Sequence, residues 1–506
     1  MALIIRDSFD PYTIATDAGL NYWDVVSTDA SLVPPASTRF GVGQGLVAAS
    51  NSGATIILGK THGVTSSTLF FSFAFFPNFG LTDTTTTHGF RIYDGSTIQC
   101  SFFFRRDGSI TFHRAGASGS LLLGTYSAAF AGSTWTHFQV KIVMGTGTSG
   151  EFHVRKNGNT SDDYTLTGVN NSASGVAQAT RHDLLKDSNG LQTWYDDLAV
   201  HDSSGSAPWN DWVGDMRAVQ VMPNSDSAVQ FTQGQATLSE GNTTTGSTRS
   251  LTTNLQVSLL QFTPKHSGAL ANLIAQFNAA ATGNINLAIF DSTGAGGGPG
   301  SVLTNGTCTP VTNPVINANT FTFPTPPTVV ANTTYWLMAI SNVAVTFKST
   351  SGNVQQYTQT KTYSAGAFDS PMTLTSASLT PVAVTATITI ANNYQLVQEL
   401  KEDGATSYVF SSTVNHVDLY GNPGLTFTPS SILGVSVRGF VAKSDAGARS
   451  GALTLKSGGT TNVGPTLALP TSFQNITMVQ DTDPNTAAAW TPSGLASATF
   501  GAKLIS

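Results

Sequence analysis

Residues 134–159 read TWTHFQVKIVMGTGTSGEFHVRKNGN, and the spacing within them decides the fold. Phe138, Val140 and Ile142 alternate with His137, Gln139 and Lys141, so the apolar side chains share one face of an extended chain and the polar ones the other. Phe152 and Val154 alternate in the same way with Glu151, His153 and Arg155, up to a turn at Asn157-Gly158. Between the runs, Gly145, Gly147 and Gly150 satisfy the Gly-x-Gly-x-x-Gly spacing of dinucleotide sites. No helix follows them to offer its N-terminus to a pyrophosphate, so they read as a hairpin loop.

The same period extends outward. TIQCSFFFRRDGSITFHR at 97–114 is a hairpin folded at Asp107-Gly108, a pair that tolerates the positive φ such turns demand. The phenylalanine-rich TLFFSFAFFPNFG at 68–80 reads as a strand buried on both faces. No long segment carries the helical period, so the fold class is all-β.

Composition agrees and excludes several functions. At 506 residues the chain is too long for one core, and two to four domains are expected. Charged residues make up 10% and glycine contributes 49 positions, a balance suited to twisted sheets and tight turns. The net charge of -6 has no basic block beside it, which argues against nucleic acid as a partner. Only Cys100 and Cys308 are present, too few for a disulfide framework or a multi-cysteine zinc site. The apolar start MALIIRDSFD is too short for a signal core, and no window is apolar enough to span a bilayer. A soluble product made in the cytoplasm, without membrane partners, is the expectation.

Taken together, these stretches resemble a known family. The run at 134–159, followed by WYDDLAVHD at 194–202, is similar to the middle of a concanavalin A-like or laminin-G-like jelly roll. DSFDPY at 7–12, NYWDVV at 21–26 and VGDMRAVQVMPNSDS at 213–227 resemble the first strand and the exit of such domains in virion proteins of tailed bacteriophages. Residues 431–459 and 481–504 resemble the module that follows it there, with Asp483, Pro484, Trp490, Phe500 and Gly501 at recurrent positions. Asp-Pro is expected to open a turn, Trp490 to supply core area, and Phe500-Gly501 to end the last strand. In those proteins a segment like NNYQLVQELKEDGATSYV follows the jelly roll almost at once; here residues 241–391 intervene, with their own strand-like runs. The resemblance therefore implies a jelly roll at 1–223, a C-terminal β-sandwich at 224–240 plus 392–506, and an inserted β-sandwich at 241–391. It further implies a virion structural protein, first a tail fibre or tail-tip adhesin contacting host surface glycan or protein, next a capsid decoration or head fibre. Other virion proteins would be its partners, and a homo-oligomer such as a trimer its assembled state. A tail-associated glycan-degrading enzyme and a secreted lectin are the alternatives from other classes.

The candidate sites are few. Asp196 and Asp197 are structural, calcium ligands, or catalytic; on a regular strand they point to opposite faces and cannot converge on one atom. Asp196 would share a face with Trp194, Leu198 and Val200, and Asp197 with Tyr195, Ala199 and His201, which favours the structural reading, with calcium the one cofactor left open. Glutamate occurs only at Glu151, Glu240, Glu399 and Glu402, and no paired-carboxylate glycosidase motif is formed. Histidines concentrate in the first domain without metal-ligand spacing, and His137 and His153 read as part of an exposed sheet surface. Trp209 and Trp212 are candidate ligand or interface aromatics, read first as a latch between domains; Trp336 reads as core. The chain is accordingly expected not to be an enzyme; several carboxylates meeting in a deep cleft with a histidine alongside, together with turnover that vanishes when they are altered, would contradict that reading.

Overall fold

The phenylalanine run at 68–80 becomes the centre of a sheet. It lies within a computed structural model that describes residues 3–9, 23–27, 30–33, 38–40, 45–48, 56–82, 86–116, 121–186, 192–205, 207–350, 354–364, 367–369, 373–399 and 403–506. Strand Thr68–Pro77 pairs with Thr136–Val143 on one side and Thr193–Asp202 on the other. Phe71, Phe73 and Phe75 point into the core while Phe70, Ser72 and Ala74 are covered on the opposite face, so the strand is buried on both.

Among the described residues the chain is nearly all antiparallel β, and its helical turns are short, such as Asn393–Leu396 and Pro492–Ser497. No described helix is long and apolar enough to cross a membrane. The chain divides into two units, the first comprising 1–221, 424–446 and 469–495, the second 222–423, 447–468 and 496–506.

Unit one holds two facing sheets. The first runs, in spatial order, Tyr164–Val169, Gly150–Lys156, Thr136–Val143, Thr68–Pro77, Thr193–Asp202, Gly45–Ala48, Ala30–Val33, with Leu3–Asp7 also pairing Thr193–Asp202. The second runs Leu121–Tyr126, Ile110–Arg114, Thr97–Arg105, Thr86–Asp94, Ala179–Lys186, Ile56–Ser66, Val25–Val26. Rings from both, including Phe73, Phe75, Phe90, Phe102, Phe104 and Phe138, interlock at centroid separations of 4.1 to 6.5 Å. The hairpin at Asp107-Gly108 forms as expected: Gly108 takes φ +81°, and the Asp107 carboxylate accepts from the Ser109 amide and hydroxyl. Gly145 also lies in a hairpin loop, where a Cβ would stand 2.2 Å from the Gly150 nitrogen, so only glycine fits. Val435–Val441 and Gln474–Gln480 form a separate antiparallel pair of the same unit, and Trp490 is buried beside them, its indole N–H donating to the Gln480 carbonyl.

Unit two is built on a sandwich. One sheet runs Thr237–Gly241, Val384–Thr389, Gly268–Phe277, Val345–Ser349, Ser247–Leu251; the other Val302–Thr307, Asn284–Asp291, Tyr335–Ser341, Leu255–Phe262, Val354–Thr360, Thr373–Leu379. Leu273, Phe277, Leu287, Ile289, Phe321, Leu337 and Phe347 fill the space between them. Its first and last strands are hydrogen-bonded neighbours, Leu238 opposite Ile388, so the segment leaves and returns at one place. A further sheet joins Ser225–Ala228, Val417–Gly421, Thr499–Leu504 and Ser450–Ser457, chain from both sides of that segment. Phe500 and Gly501 lie near the start of Thr499–Leu504, which corrects the expectation that they end the last strand; Gly501 is there because the Asp418 carbonyl occupies the space a Cβ would need.

Candidate functional site

The second sheet of unit one carries the richest array of functional groups. Leu184, Phe90, Phe102 and Phe112 stand opposite one another on neighbouring strands and fill the core. Their sequence neighbours must then lie side by side on the outer face, because strand side chains alternate. The register gives one row, Gly59, Asp183, Arg91, Ser101 and His113, and beside it a second, Thr61, Arg181 and Tyr93.

Arg181 grips Asp183 with two charge-assisted bonds, Nε to Oδ1 at 2.7 Å and Nη2 to Oδ2 at 3.0 Å, and its guanidinium lies 5.4 Å from the Tyr93 ring. Gly59 makes room for this pair: a Cβ there would stand 2.6 Å from Asp183 Oδ1. Burial, followed by the Asp183 charge, raises the Tyr93 phenol above its usual range. Burial, with Arg105 nearby, lowers His113 and favours its neutral imidazole. Arg91 Nε is buried and meets no hydrogen-bond partner among the described residues. Next to Tyr93, Gln99 donates to the Ser174 hydroxyl and to the Val176 and Gln178 carbonyls, which fixes the loop at 172–178 against the sheet. Asp183 and Ser101 are buried beneath this face, the Ser101 hydroxyl donating to the Ala115 carbonyl, which leaves two guanidinium groups, a phenol and an imidazole, all half-buried, that can bind a polyhydroxylated or carboxylated ligand. Sequence reasoning missed them, although Arg91 and Tyr93 do alternate with Phe90 and Ile92.

The aspartate pair takes another form than expected. Asp196 is opposite Ala74 and Ala199 opposite Ser72, so Asp197 and Leu198 together oppose Phe73 in a β-bulge. Asp197 has φ +54°, and past it the alternation is shifted by one residue. Tyr195, Leu198 and Val200 therefore all face the core, which corrects the face assignment made from strict alternation. Asp196 accepts from the Asp197 amide at 2.9 Å, and Asp197 accepts from the Ala218 amide at 2.8 Å and lies 3.5 Å from Arg39. Arg39 also holds Asp215, at 2.6 Å. No group of three or more His, Cys, Asp or Glu side chains placed to hold a metal occurs among the described residues.

Trp209 and Trp212 are likewise not a free aromatic platform. Trp209 is 1% exposed and packs on Ala199, Met216 and Leu433 within unit one. Trp212 stands edge-on to Phe70 and carries the Arg155 guanidinium 4.1 Å from its ring. The segment around them covers the outer face of the first sheet, where His201 Nδ1 meets the Trp209 carbonyl at 3.1 Å and His137 lies 3.7 Å from Asp215. This corrects the expectation of an exposed histidine surface: His62, His88, His137, His182 and His201 are buried, while His153 sits in a half-buried ion network with Glu151, Asp162 and Arg155. Trp336 is core, as expected, its indole N–H donating to the Gly297 carbonyl.

Unit two holds a second constellation, beside a cleft of about 380 Å³ lined by Leu238, Glu240, Phe262, Lys265, His266 and Asp403 among others. His266 Nδ1 is 2.5 Å from Glu240 Oε1 and Nε2 is 2.8 Å from Ser407 Oγ, while Glu399 and Asp403 each approach Nε2 to 3.8 Å. Three carboxylates thus surround one buried imidazole. The sequence carries no sign of this, since the residues come from 240, 266 and 399–407.

No protein-family model and no curated protein matches the chain. Solved structures do. They include an endo-β-1,4-glucuronan lyase from the fungus Trichoderma reesei, 14% identical over 36% of this chain and 92% of that one, with a TM-score of 0.28. A carbohydrate esterase from Shiga toxin-encoding bacteriophage phi24B is 14% identical over 34% and 86%, with a TM-score of 0.25. The CBM2 module of an evolved Dit of Lactobacillus casei BL23 phage J-1 is 11% identical over 40% and 95%, also with a TM-score of 0.25. Two of the three are phage proteins. The expectation that the chain is not an enzyme is corrected: it rested on diverging aspartates and the absence of a paired-carboxylate motif, whereas the structures to which the chain has a likeness include a lyase and a carbohydrate esterase. The carboxylates around His266 at the cleft supply the geometric part of what that expectation excluded.

Proposed function

We propose that this chain is a structural protein of a tailed-bacteriophage virion, a tail fibre or tail-tip component, that contacts host-surface glycan through the outer face of the second sheet of unit one. The observation that carries the glycan reading is the double row that brings the half-buried Arg91, Tyr93, His113 and Arg181 together on one sheet face. Guanidinium forks pair with carboxylates and sugar hydroxyls, and the buried Asp183 holds the part-exposed Arg181 guanidinium in a fixed position. The virion reading rests on the resemblance of 1–225 and 431–504 to phage virion modules. The division into a jelly roll at 1–223, a C-terminal sandwich at 224–240 plus 392–506 and an inserted sandwich at 241–391 belongs to the same proposal, as does a homo-oligomeric assembly. Insertion costs little where the two ends of a segment already lie together. The test is saturable binding of the full chain to purified host-surface polysaccharide, together with antibody labelling of intact particles. Absence of saturable binding would contradict the glycan reading, and unlabelled particles the virion one.

A further inference from the structure

We propose that Glu240, His266 and Ser407 form an ester-hydrolysing site at the cleft of unit two, with a small acyl ester as substrate. They stand in the order of an acid, an imidazole and a hydroxyl, joined by contacts of 2.5 Å and 2.8 Å. A nucleophile within hydrogen-bond reach of a base that a third group orients is the arrangement by which such sites are recognised, whatever the fold.

Each member is held in place. Glu240 accepts from the Lys265 amide at 2.7 Å as well as facing the ring, so its carboxylate cannot swing away from Nδ1. The Ser407 amide donates to Asp403 Oδ1 at 2.9 Å, which fixes the turn that carries the hydroxyl. Three acceptors compete for the Ser407 proton, His266 Nε2 at 2.8 Å, Asp403 Oδ1 at 3.1 Å and the Leu396 carbonyl at 3.3 Å, and the imidazole is the nearest. Glu399 and Asp403, both 3.8 Å from Nε2, face the positive charge the ring acquires when it takes that proton.

Access sets the substrate class. His266, Asp403 and Thr406 line the cleft, whereas Ser407 is only 3% exposed and lies behind them. So buried a hydroxyl would admit only an acyl group of a few carbons, with the alcohol part remaining in the cleft. Ser407 Oγ would bond to the ester carbonyl carbon as its proton passes to Nε2. The carbon–oxygen bond to the alcohol then breaks, and the leaving oxygen takes the proton from Nε2. Water, deprotonated by the same nitrogen, releases the acid and restores the hydroxyl. No oxidant or cofactor is required. The site lies in the other unit from the proposed glycan face and stands or falls independently of it.

The deciding test uses the full wild-type chain treated with a fluorophosphonate, with the adduct mapped by mass spectrometry. One adduct per chain at Ser407 is expected, with p-nitrophenyl acetate turnover that falls roughly 10³-fold in Ser407→Ala. Labelling should also be lost in His266→Gln. Because both substitutions remove a buried hydrogen bond, their melting is measured alongside, and the wild-type adduct remains the primary readout. A folded wild-type chain left unmodified at Ser407, while a reference serine hydrolase in the same tube is labelled, overturns the proposal.

Discussion

At Asp197 one backbone angle changes what a strand can present. Its φ of +54° is tolerated by Asp and Asn and poorly by β-branched residues, and its carboxylate caps the Ala218 amide. Asp197→Val should therefore destabilise by on the order of 2–4 kcal/mol, combining strain with a lost buried bond, and Asp197→Asn by about 1 kcal/mol. Urea denaturation followed by tryptophan fluorescence measures both; equal losses would show that the left-handed conformation is not what matters. Gly59 offers the corresponding test at the proposed ligand face. Its missing Cβ leaves space for Asp183, so Gly59→Ala should displace the Arg181–Asp183 pair and weaken glycan binding roughly tenfold while the chain stays folded. Unchanged affinity in that variant would detach the pair from recognition.

Among the elements, the strand Thr68–Pro77 shows how unequal neighbouring phenylalanines can be. Phe73 is fully buried among five aromatic rings, so Phe73→Ala should cost about 3–5 kcal/mol. Phe76 is half-buried on the outer face, stacked 4.6 Å from Trp194, and Phe76→Ala should cost about 1 kcal/mol. Similar losses at the two positions, in the same urea experiment, would mean that the alternation does not order the core as described. That alternation made the strands legible in sequence, including the pairing of 136–143 with 150–156. It could not reveal the bulge, because an extra residue leaves the composition of a strand unchanged while reversing every side chain beyond it. Nor could it show that His137 and His201 are covered: their strands alternate as if half-exposed, and the cover is a turn from 207–218 that carries no period. The outer-face row was hidden for a related reason. Each strand contributes one or two residues, and only the register between strands places Arg91 beside Asp183 and Ser101. The cluster at His266 needed contacts across more than a hundred residues, which no local pattern encodes.

Over the whole molecule, the buried histidines make stability depend on pH. Burial holds His62, His137 and His201 near a pKa of about 4 and His182 well below its usual value. Unfolded, all would titrate near 6.5. Between those values the unfolded chain binds more protons, so stability rises with pH across the window, is complete above about 6.5, and is lost as pH falls toward about 4. Each of the three would contribute about 3 kcal/mol if fully expressed. His62 Nε2 and His182 Nδ1, 2.9 Å apart, reinforce the effect, since one must accept what the other donates. Melting temperatures that stay level between pH 7 and pH 4 would contradict this. The same unit carries the surface on which the functional account depends, and the most direct test is calorimetric titration of the full chain with host-surface polysaccharide, comparing wild type with Arg91→Ala and Arg181→Ala at pH 7. Saturable binding is expected to weaken at least tenfold in each variant, with melting preserved in Arg91→Ala and lowered in Arg181→Ala, which leaves the buried Asp183 carboxylate without its partner; binding of wild-type strength in both variants would contradict it.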